Sequence, residues 1–326
     1  MTAGNLMAAE IAQAPQVFAA TVTANQSRTV DSRSLRSKSA FYTVARGSSD
    51  AAANILSYEY MRELGVPMTS LPPSIFSLGA GVAMPHAAAL IVSQSGASDD
   101  LVRSANGIRA KGGTVIAITN VAGSPVEQVA HATIAINAGP ELAVPATKSV
   151  IGSIGAGLAL LAALKPGYAP AAFAPVAPHP QAGQISAALT RARHVYVIGR
   201  DCGYGAAHEV ALKLKECCAL HAEAYSSSEV LHGPLQLVTN PLLILILDTG
   251  QPAIQASLNT AEARFRVAGG TVFRIRPADI GHAPLLPAAA AALLLCLLYP
   301  IVLATALALG HDPDQPSTLS KVTQTR

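Results

Sequence analysis

The chain has 326 residues, 51% hydrophobic and only 13% charged, enough to bury a large core in two domains or two fused halves and too apolar for a disordered or fibrous protein. A formal net charge of +3, aromatic residues at 4% and no Trp leave neither a basic face for nucleic acid nor a platform for base stacking, so no nucleic-acid partner is expected. Cys202, Cys217, Cys218 and Cys296 show no C-x-x-C spacing and no accompanying histidine pattern. They are read as reduced thiols in a cytoplasmic protein without a metal or a disulfide framework.

In chain order, the opening MTAGNLMAAEIAQ has no basic stretch ahead of an apolar core, so no signal peptide is expected. One amphipathic helix is predicted from about Leu6 to Asn25, followed by the polar QSRTVDSRSLRSKS, read as a solvated helix face. Short apolar runs then alternate with helix-length segments. Strands are predicted near 41 to 45, 88 to 93, 114 to 119 and 132 to 136, and again near 194 to 199, 242 to 247 and 271 to 275. Runs that are apolar on both faces argue for parallel sheets covered by helices, an α/β fold.

The two sets repeat each other. FYTVARGSSDAAANIL from Phe41 and VYVIGRDCGYGAAHEV from Val195 both run strand, arginine, small-residue turn, helix, and GGTVIAIT from Gly112 is echoed by GGTVFRIR from Gly269. A tandem duplication is predicted. Between the copies, KPGYAPAAFAPVAPHPQAG contains five prolines, which exclude helix interior and central strand, and reads as a linker. The predicted divisions are a helical segment 1–40, a first domain 41–165, a linker 166–184, a second domain 185–310 and a tail 311–326. Ala288 to Leu309 carries no charge over 22 residues, long enough for a bilayer. Rich in alanine, interrupted by Pro300 and lacking Lys or Arg anchors, it is read as a helix buried in a core or subunit interface, with no membrane involved.

SQSGASDD, Ser93 to Asp100, closes one strand and opens a helix. Ligands of open α/β sheets bind beyond the carboxyl ends of strands, where unpaired helix N–H groups favour anions, so Ser93, Gln94, Ser95 and Ser98 form a candidate phosphate cradle. The plain alternative is that Ser98 caps a helix whose first turn holds Asp99 and Asp100, which leaves the other three without a task. RGSSD, Arg46 to Asp50, is a second hydroxyl-rich turn of the same kind.

In the second half, HEVALKLKECCALHAEAY reads as one helix from His208, with Glu209, Lys213 and Glu216 on one face. These could form an ordinary exposed ion pair. Flanking Ala211, Leu212, Leu214, Cys217 and Cys218 instead put Glu216 at the border of an apolar site, where a carboxylate suits base catalysis. His232, in SSSEVLHGPLQL, falls in a loop after a short helix; it is either solvated or a proton shuttle. The tail HDPDQPSTLSKVTQTR carries Lys321 beyond two prolines, in a composition that is commonly disordered.

Taken together, RGSSD, SQSGASDD, NAGPELAVPATKS, ALKLKECCALHAEAYSSSEVLHGPLQL and DPDQPSTLSKVT resemble, in order and spacing from Phe41 to Lys321, the isomerase half of glucosamine-6-phosphate synthase. That half is built from two sugar isomerase (SIS) domains. The resemblance implies two tandem doubly wound three-layer domains with central parallel sheets. It implies that Gly47, Ser48, Ser49, Ser93, Gln94, Ser95 and Ser98 bind a sugar phosphate, with Val144 and Ala146 lining the sugar. Ala97 stands where the family often has glutamate and Pro145 where alanine is commoner, which touches specificity.

By the same resemblance Glu216 moves the proton between C1 and C2, His232 assists ring opening from a neighbouring subunit, and Lys321 reaches the carbonyl end. Glu209 and Lys213 support them, and a homodimer with shared sites and no cofactor follows. The chain has 40 residues before its first predicted strand, where the synthase has a glutaminase domain. RGSSD and MAAEIAQAPQVF resemble the stand-alone deaminases of the family, so conversion of glucosamine 6-phosphate to fructose 6-phosphate and ammonia is expected. The alternatives are a fructosamine-6-phosphate deglycase, a galactosamine-6-phosphate deaminase, an aldose-ketose isomerase, or a sugar-phosphate sensor without catalysis.

Overall fold

A computed structural model describes residues 2–26, 31–173 and 176–321. Residues 27–30 of the polar stretch, 174–175 of the proline-rich segment and 322–326 of the tail lie outside the described residues. The chain forms two compact units. A first helix, α1 (Asn5–Gln26), contributes residues up to Pro15 to one and the remainder to the other.

The unit built from Gln16–Glu141 and Lys148–Ala172 holds a five-stranded parallel sheet. Its strands are β1 (Ala40–Val44), β2 (Met68–Ser70), β3 (Ala87–Ser93), β4 (Thr114–Thr119) and β5 (Ala132–Ala135), in the order β2-β1-β3-β4-β5. Its helices are α2 (Ser32–Arg36), α3 (Gly47–Leu64), α4 (Ser74–Ser77), α5 (Asp99–Ala110), α6 (Pro125–Val129) and α7 (Lys148–Leu164). Side chains alternate along a strand. Ala87, Ala89 and Ile91 therefore pack with Phe76, Leu101, Ala105, Ile108 and Val126 of α4, α5 and α6, while Ala88, Leu90 and Val92 face the opposite side, where α3 and α7 lie together. All seven residues of β3 are buried, as a central strand covered on both faces requires.

The other unit contains Leu142–Thr147 and Phe173–Lys321 besides the start of α1. Four parallel strands, β6 (His194–Gly199), β7 (His221–Ser226), β8 (Leu242–Leu247) and β9 (Thr271–Ile275), are ordered β7-β6-β8-β9. The helices are α8 (Ala182–Leu189), α9 (Cys202–Cys218), α10 (Gln255–Val267) and α11 (Pro287–Ala308). Leu258, Ala261 and Phe265 of α10 cover Tyr196, Ile198, Ile244 and Ile246 on one face of the sheet, and α9 packs against α11, which also meets α8. The uncharged helix α11 is buried from Pro287 through Tyr299, a core helix of this unit.

Both sheets repeat one order, strand two-one-three-four, as the internal repeat predicts, and the α/β class with two tandem parallel-sheet domains holds. Seven predicted strands occur within a residue of their expected positions. Two were not foreseen. β2 has only three residues, and β7 replaces the last third of what reads as a helix from His208 to Tyr225. That helix ends at Cys218, where Ala219 turns left-handed at φ 52° and its N–H bonds the Leu214 carbonyl. HAEAYS then pairs in register with β6, so tertiary pairing overrides the helix-favouring Ala and Glu.

Candidate active site

In the first sheet, the two hydroxyl-rich turns follow adjacent strands, β1 and β3. Gly47, at φ 52°, Ser48 and Ser49 form the first turn of α3, with Arg46 as the extended N-cap residue. Ser93, Gln94 and Ser95 lead to Ser98, the N-cap residue of α5. Ser93 Oγ accepts from Gly96 N at 3.1 Å and Ser95 Oγ from Ala97 N at 3.3 Å, so these hydroxyls close the turn as well as line it. That structural task was not visible in the sequence. Ser98 takes the capping position but, among the described residues, its side chain makes no capping hydrogen bond, contrary to the expectation that it caps the helix.

Gly96 is required where it stands. It sits at φ 61°, and a Cβ there would lie 2.2 Å from Ser124 Oγ. From the sequence, Asp99 and Asp100 are expected to be ordinary acids in the first turn of a helix. Asp99 fits that description, pairing with Arg103 at 2.7 Å. Asp100 does not: buried to 1% exposure, it forms an ion pair with Arg46 and ties the start of α5 to the start of α3. The bridge locks the two turns together.

In the other unit, Glu209, Lys213 and Glu216 lie along one face of α9. Lys213 is fully buried, 3.4 Å from Glu209 and hydrogen-bonded to Glu216, and Tyr299 of α11 donates to Glu209 at 3.1 Å. This is not an exposed helical ion pair. Burial works against the Lys213 ammonium, yet Glu209 and Glu216 prevail and hold its pKa above the ordinary lysine value. Burial also pushes the neighbouring Cys217 thiol up to about 12 against the pull of Lys213, so it is a poor nucleophile.

Glu216 is 25% exposed and borders a cleft of 490 Å³ lined also by Cys217, Ala219, His311, Asp312 and Ser317. Only Oε2 is engaged by Lys213, and Oε1 takes no hydrogen bond among the described residues. A carboxylate at a cleft edge with one oxygen fixed by a charged lysine can accept and return a proton without losing its orientation.

The last described residue of the tail is Lys321, whose Nζ donates to the Ala143 carbonyl at 2.6 Å. It therefore reaches the segment of Val144 and Ala146, whose Val144 N bonds the Asp314 carbonyl at 3.3 Å. His232 follows the 3₁₀ turn Glu229–Leu231, is exposed, and is not among the residues lining the Glu216 cleft. All four cysteines are buried and, among the described residues, none is in a disulfide and no group of three metal-ligating side chains is assembled.

The SIS domain pattern matches residues 34–163 and 188–272. The glutamine–fructose-6-phosphate aminotransferase [isomerizing] of Symbiobacterium thermophilum is 33% identical over 243 residues, 68% of this chain and 40% of that protein. The chain spans about two fifths of the length of such curated relatives. A Silicibacter pomeroyi protein described provisionally as a phosphosugar isomerase superposes with a TM-score of 0.79 at 32% identity, covering 95% of this chain and 99% of the other. The C-terminal domain of glucosamine-fructose-6-phosphate aminotransferase from Francisella tularensis shares the fold, with a TM-score of 0.78 at 22% identity over 96% of this chain and 98% of that one. The repeated parallel sheets and these matches agree: the chain belongs to the SIS domain family.

Proposed function

We propose that the chain is an amino-sugar-phosphate isomerase and deaminase, acting in the cytoplasm on glucosamine 6-phosphate and water to give fructose 6-phosphate and ammonia. The observation that carries this reading is Glu216, held at a cleft edge by the buried Lys213 with one carboxylate oxygen unengaged. A passive sugar-phosphate sensor has no use for such an arrangement.

In this reading the hydroxyls of Ser48, Ser49, Ser93, Ser95 and Ser98, with Gln94 and the N–H groups at the α3 and α5 starts, hold the phosphate. His232, contributed by a second copy in a homodimer, passes a proton to the ring oxygen as the hemiacetal opens. Glu216 takes the proton from C2 and returns it to C1 while one amine N–H proton passes to the C1 oxygen, so C1 becomes a carbinol and the amine-bearing carbon an imine. Water adds to that imine and ammonia leaves, which gives the ketone without a net redox change. Lys321 stabilises charge that develops on the carbonyl oxygen at C1, and Val144 and Ala146 line the sugar. Every step is proton transfer or hydration, and none calls for a cofactor.

Purified protein given glucosamine 6-phosphate is expected to release ammonia and fructose 6-phosphate in equal amounts. Binding without ammonia release overturns the reading. Ketose formation only from a hydroxy-aldose phosphate moves the assignment to an aldose-ketose isomerase.

A further inference from the structure

Three stretches far apart in sequence meet at the start of α1. Asp314, 5% exposed, accepts from Leu6 N at 2.9 Å and Met7 N at 2.8 Å. Asp312 Oδ1 accepts from Gly4 N at 3.1 Å and from Asp314 N at 3.0 Å. One helical turn beyond Leu6, buried Glu10 accepts with Oε1 from Leu142 N and, at 3.3 Å, from Ala143 N. The carbonyl of the same Ala143 receives the Lys321 ammonium. Residues 5–10 thus hold the tail through Asp314 and the 142–144 segment through Glu10, and Lys321 joins those two segments.

The physical logic is that of an anchored flexible strap. Residues 311–321 contain Pro313 and Pro316 and no helix or strand, so their position depends on such anchors rather than on a hydrogen-bonded ladder. The N–H groups in the first turn of a helix have no intrahelical partner and carry partial positive charge, and a carboxylate satisfies both features with charge-assisted hydrogen bonds. Glu10 does the same for two backbone N–H groups of a non-repetitive segment. Loss of either carboxylate strands buried donors.

We propose that the first turns of α1 form a clamp in which Glu10 and Asp314 are positioning residues for Lys321 and for the Val144 segment. This rests on the assignment of Lys321 to the reaction made above. Neither carboxylate touches the sugar; each sets where a group that does so is held.

The test uses the full chain with Glu10→Ala, Asp314→Ala and their conservative partners Glu10→Gln and Asp314→Asn. Two readouts are taken: steady-state ammonia release from glucosamine 6-phosphate, and amide hydrogen exchange. Asp314→Ala and Glu10→Ala should lower kcat at least tenfold with KM changed by less than twofold. Exchange over 311–321 and 142–147 should rise at least tenfold, with little change in β6 and β8. Glu10→Gln, which keeps an acceptor oxygen, should recover most of kcat.

Unchanged exchange in those two segments overturns the clamp, and so does a uniform rise across the chain, which marks the carboxylates as contributors to stability alone. If the alanine variants do not fold, local faster exchange in Asp314→Asn decides in favour and its absence decides against. If wild-type protein releases no ammonia, the functional reading fails while the exchange pattern still judges the clamp.

Discussion

The two sheets share a topology but treat their strand ends in opposite ways. After β3 the turn holds Ser93, Gln94, Ser95 and Ser98 and no acid before the helix begins. After β8, at the corresponding place, Asp248 accepts from Gly250 N and Gln255 Nε2 and pairs with Arg274 at 2.8 Å. The helix starts differ in the same sense. Where α3 opens with Gly47 and two serines, α9 is preceded by Asp201, whose carboxylate accepts from Cys202 N at 2.8 Å. At the second sheet's strand ends a carboxylate accepts from a backbone N–H, at Gly250 and Cys202, where after β3 of the first sheet serine hydroxyls accept from Gly96 and Ala97.

The duplication also reverses a charge pair. A shift of 154 residues carries Arg46 onto Arg200, Glu59 onto Lys213 and Arg62 onto Glu216. Glu59 is buried, paired with Arg62 at 3.0 Å, and receives the Tyr168 hydroxyl at 2.9 Å. In the second copy the inner member is a lysine and the outer one a carboxylate. A buried glutamate with an outer arginine is a structural pair, whereas the reversed pair presents a proton acceptor. The duplicated halves thus place different groups at matching positions, a glutamate–arginine pair in one and a lysine between two glutamates in the other.

Giving the first sheet the second sheet's device should produce the largest effect. Ser95→Asp places a carboxylate in the candidate phosphate turn and should weaken fructose 6-phosphate binding by about 100-fold or more, read by calorimetry, because like charges facing each other cost several kcal/mol. An unchanged affinity removes the turn from the site. The converse change, Asp248→Ser, should leave that affinity within twofold but destabilise the fold by about 2–3 kcal/mol, since the mostly buried Arg274 loses one of its two carboxylate partners and keeps only Glu262. Chemical denaturation gives the value.

Arg46→Ala should act on both counts, more weakly. It leaves the buried Asp100 without its cation, at a cost of about 1–3 kcal/mol, and loosens both turns enough to reduce binding several-fold. The smallest effect is a pH dependence of the second sheet. Burial would raise the Glu262 carboxyl, but hydrogen bonds from Arg266 and Arg274 win and hold it below its ordinary value. A depressed folded pKa gives stability that is complete above the ordinary carboxylate range, near pH 4, and is lost as pH falls through the lowered value. Glu262→Gln should remove that part of the acid transition, under about 1 kcal/mol for a partly exposed group, as followed by Tm against pH.

Much of this was legible in the sequence because it is periodic. The seven apolar strands, the duplication and the placement of Glu209, Lys213 and Glu216 on one helix face follow from local pattern alone. What was not legible depends on pairing across distance. β7 reads as helix because its Ala and Glu content is helical and only its neighbour β6 makes it a strand. Asp100 looks like any acid at a helix start until Arg46, 54 residues away, is seen against it. The anchoring of the tail through Asp314 on Leu6 and Met7 spans more than 300 residues and left no local signature. Ser98 failed in the opposite direction, since it fits the capping preference yet does not spend its hydroxyl on the helix.

The central claim is that Glu216 moves a proton on a bound sugar phosphate, and isotope exchange reads that step without depending on ammonia release. In deuterium oxide, wild-type protein with fructose 6-phosphate and ammonium ion should incorporate solvent deuterium at C1, detected by NMR. Glu216→Gln should bind the same ligand with affinity within threefold and exchange at least 100-fold more slowly. Tight binding by wild-type protein with no exchange, or equal exchange in the variant, would contradict the assignment of Glu216 as the base.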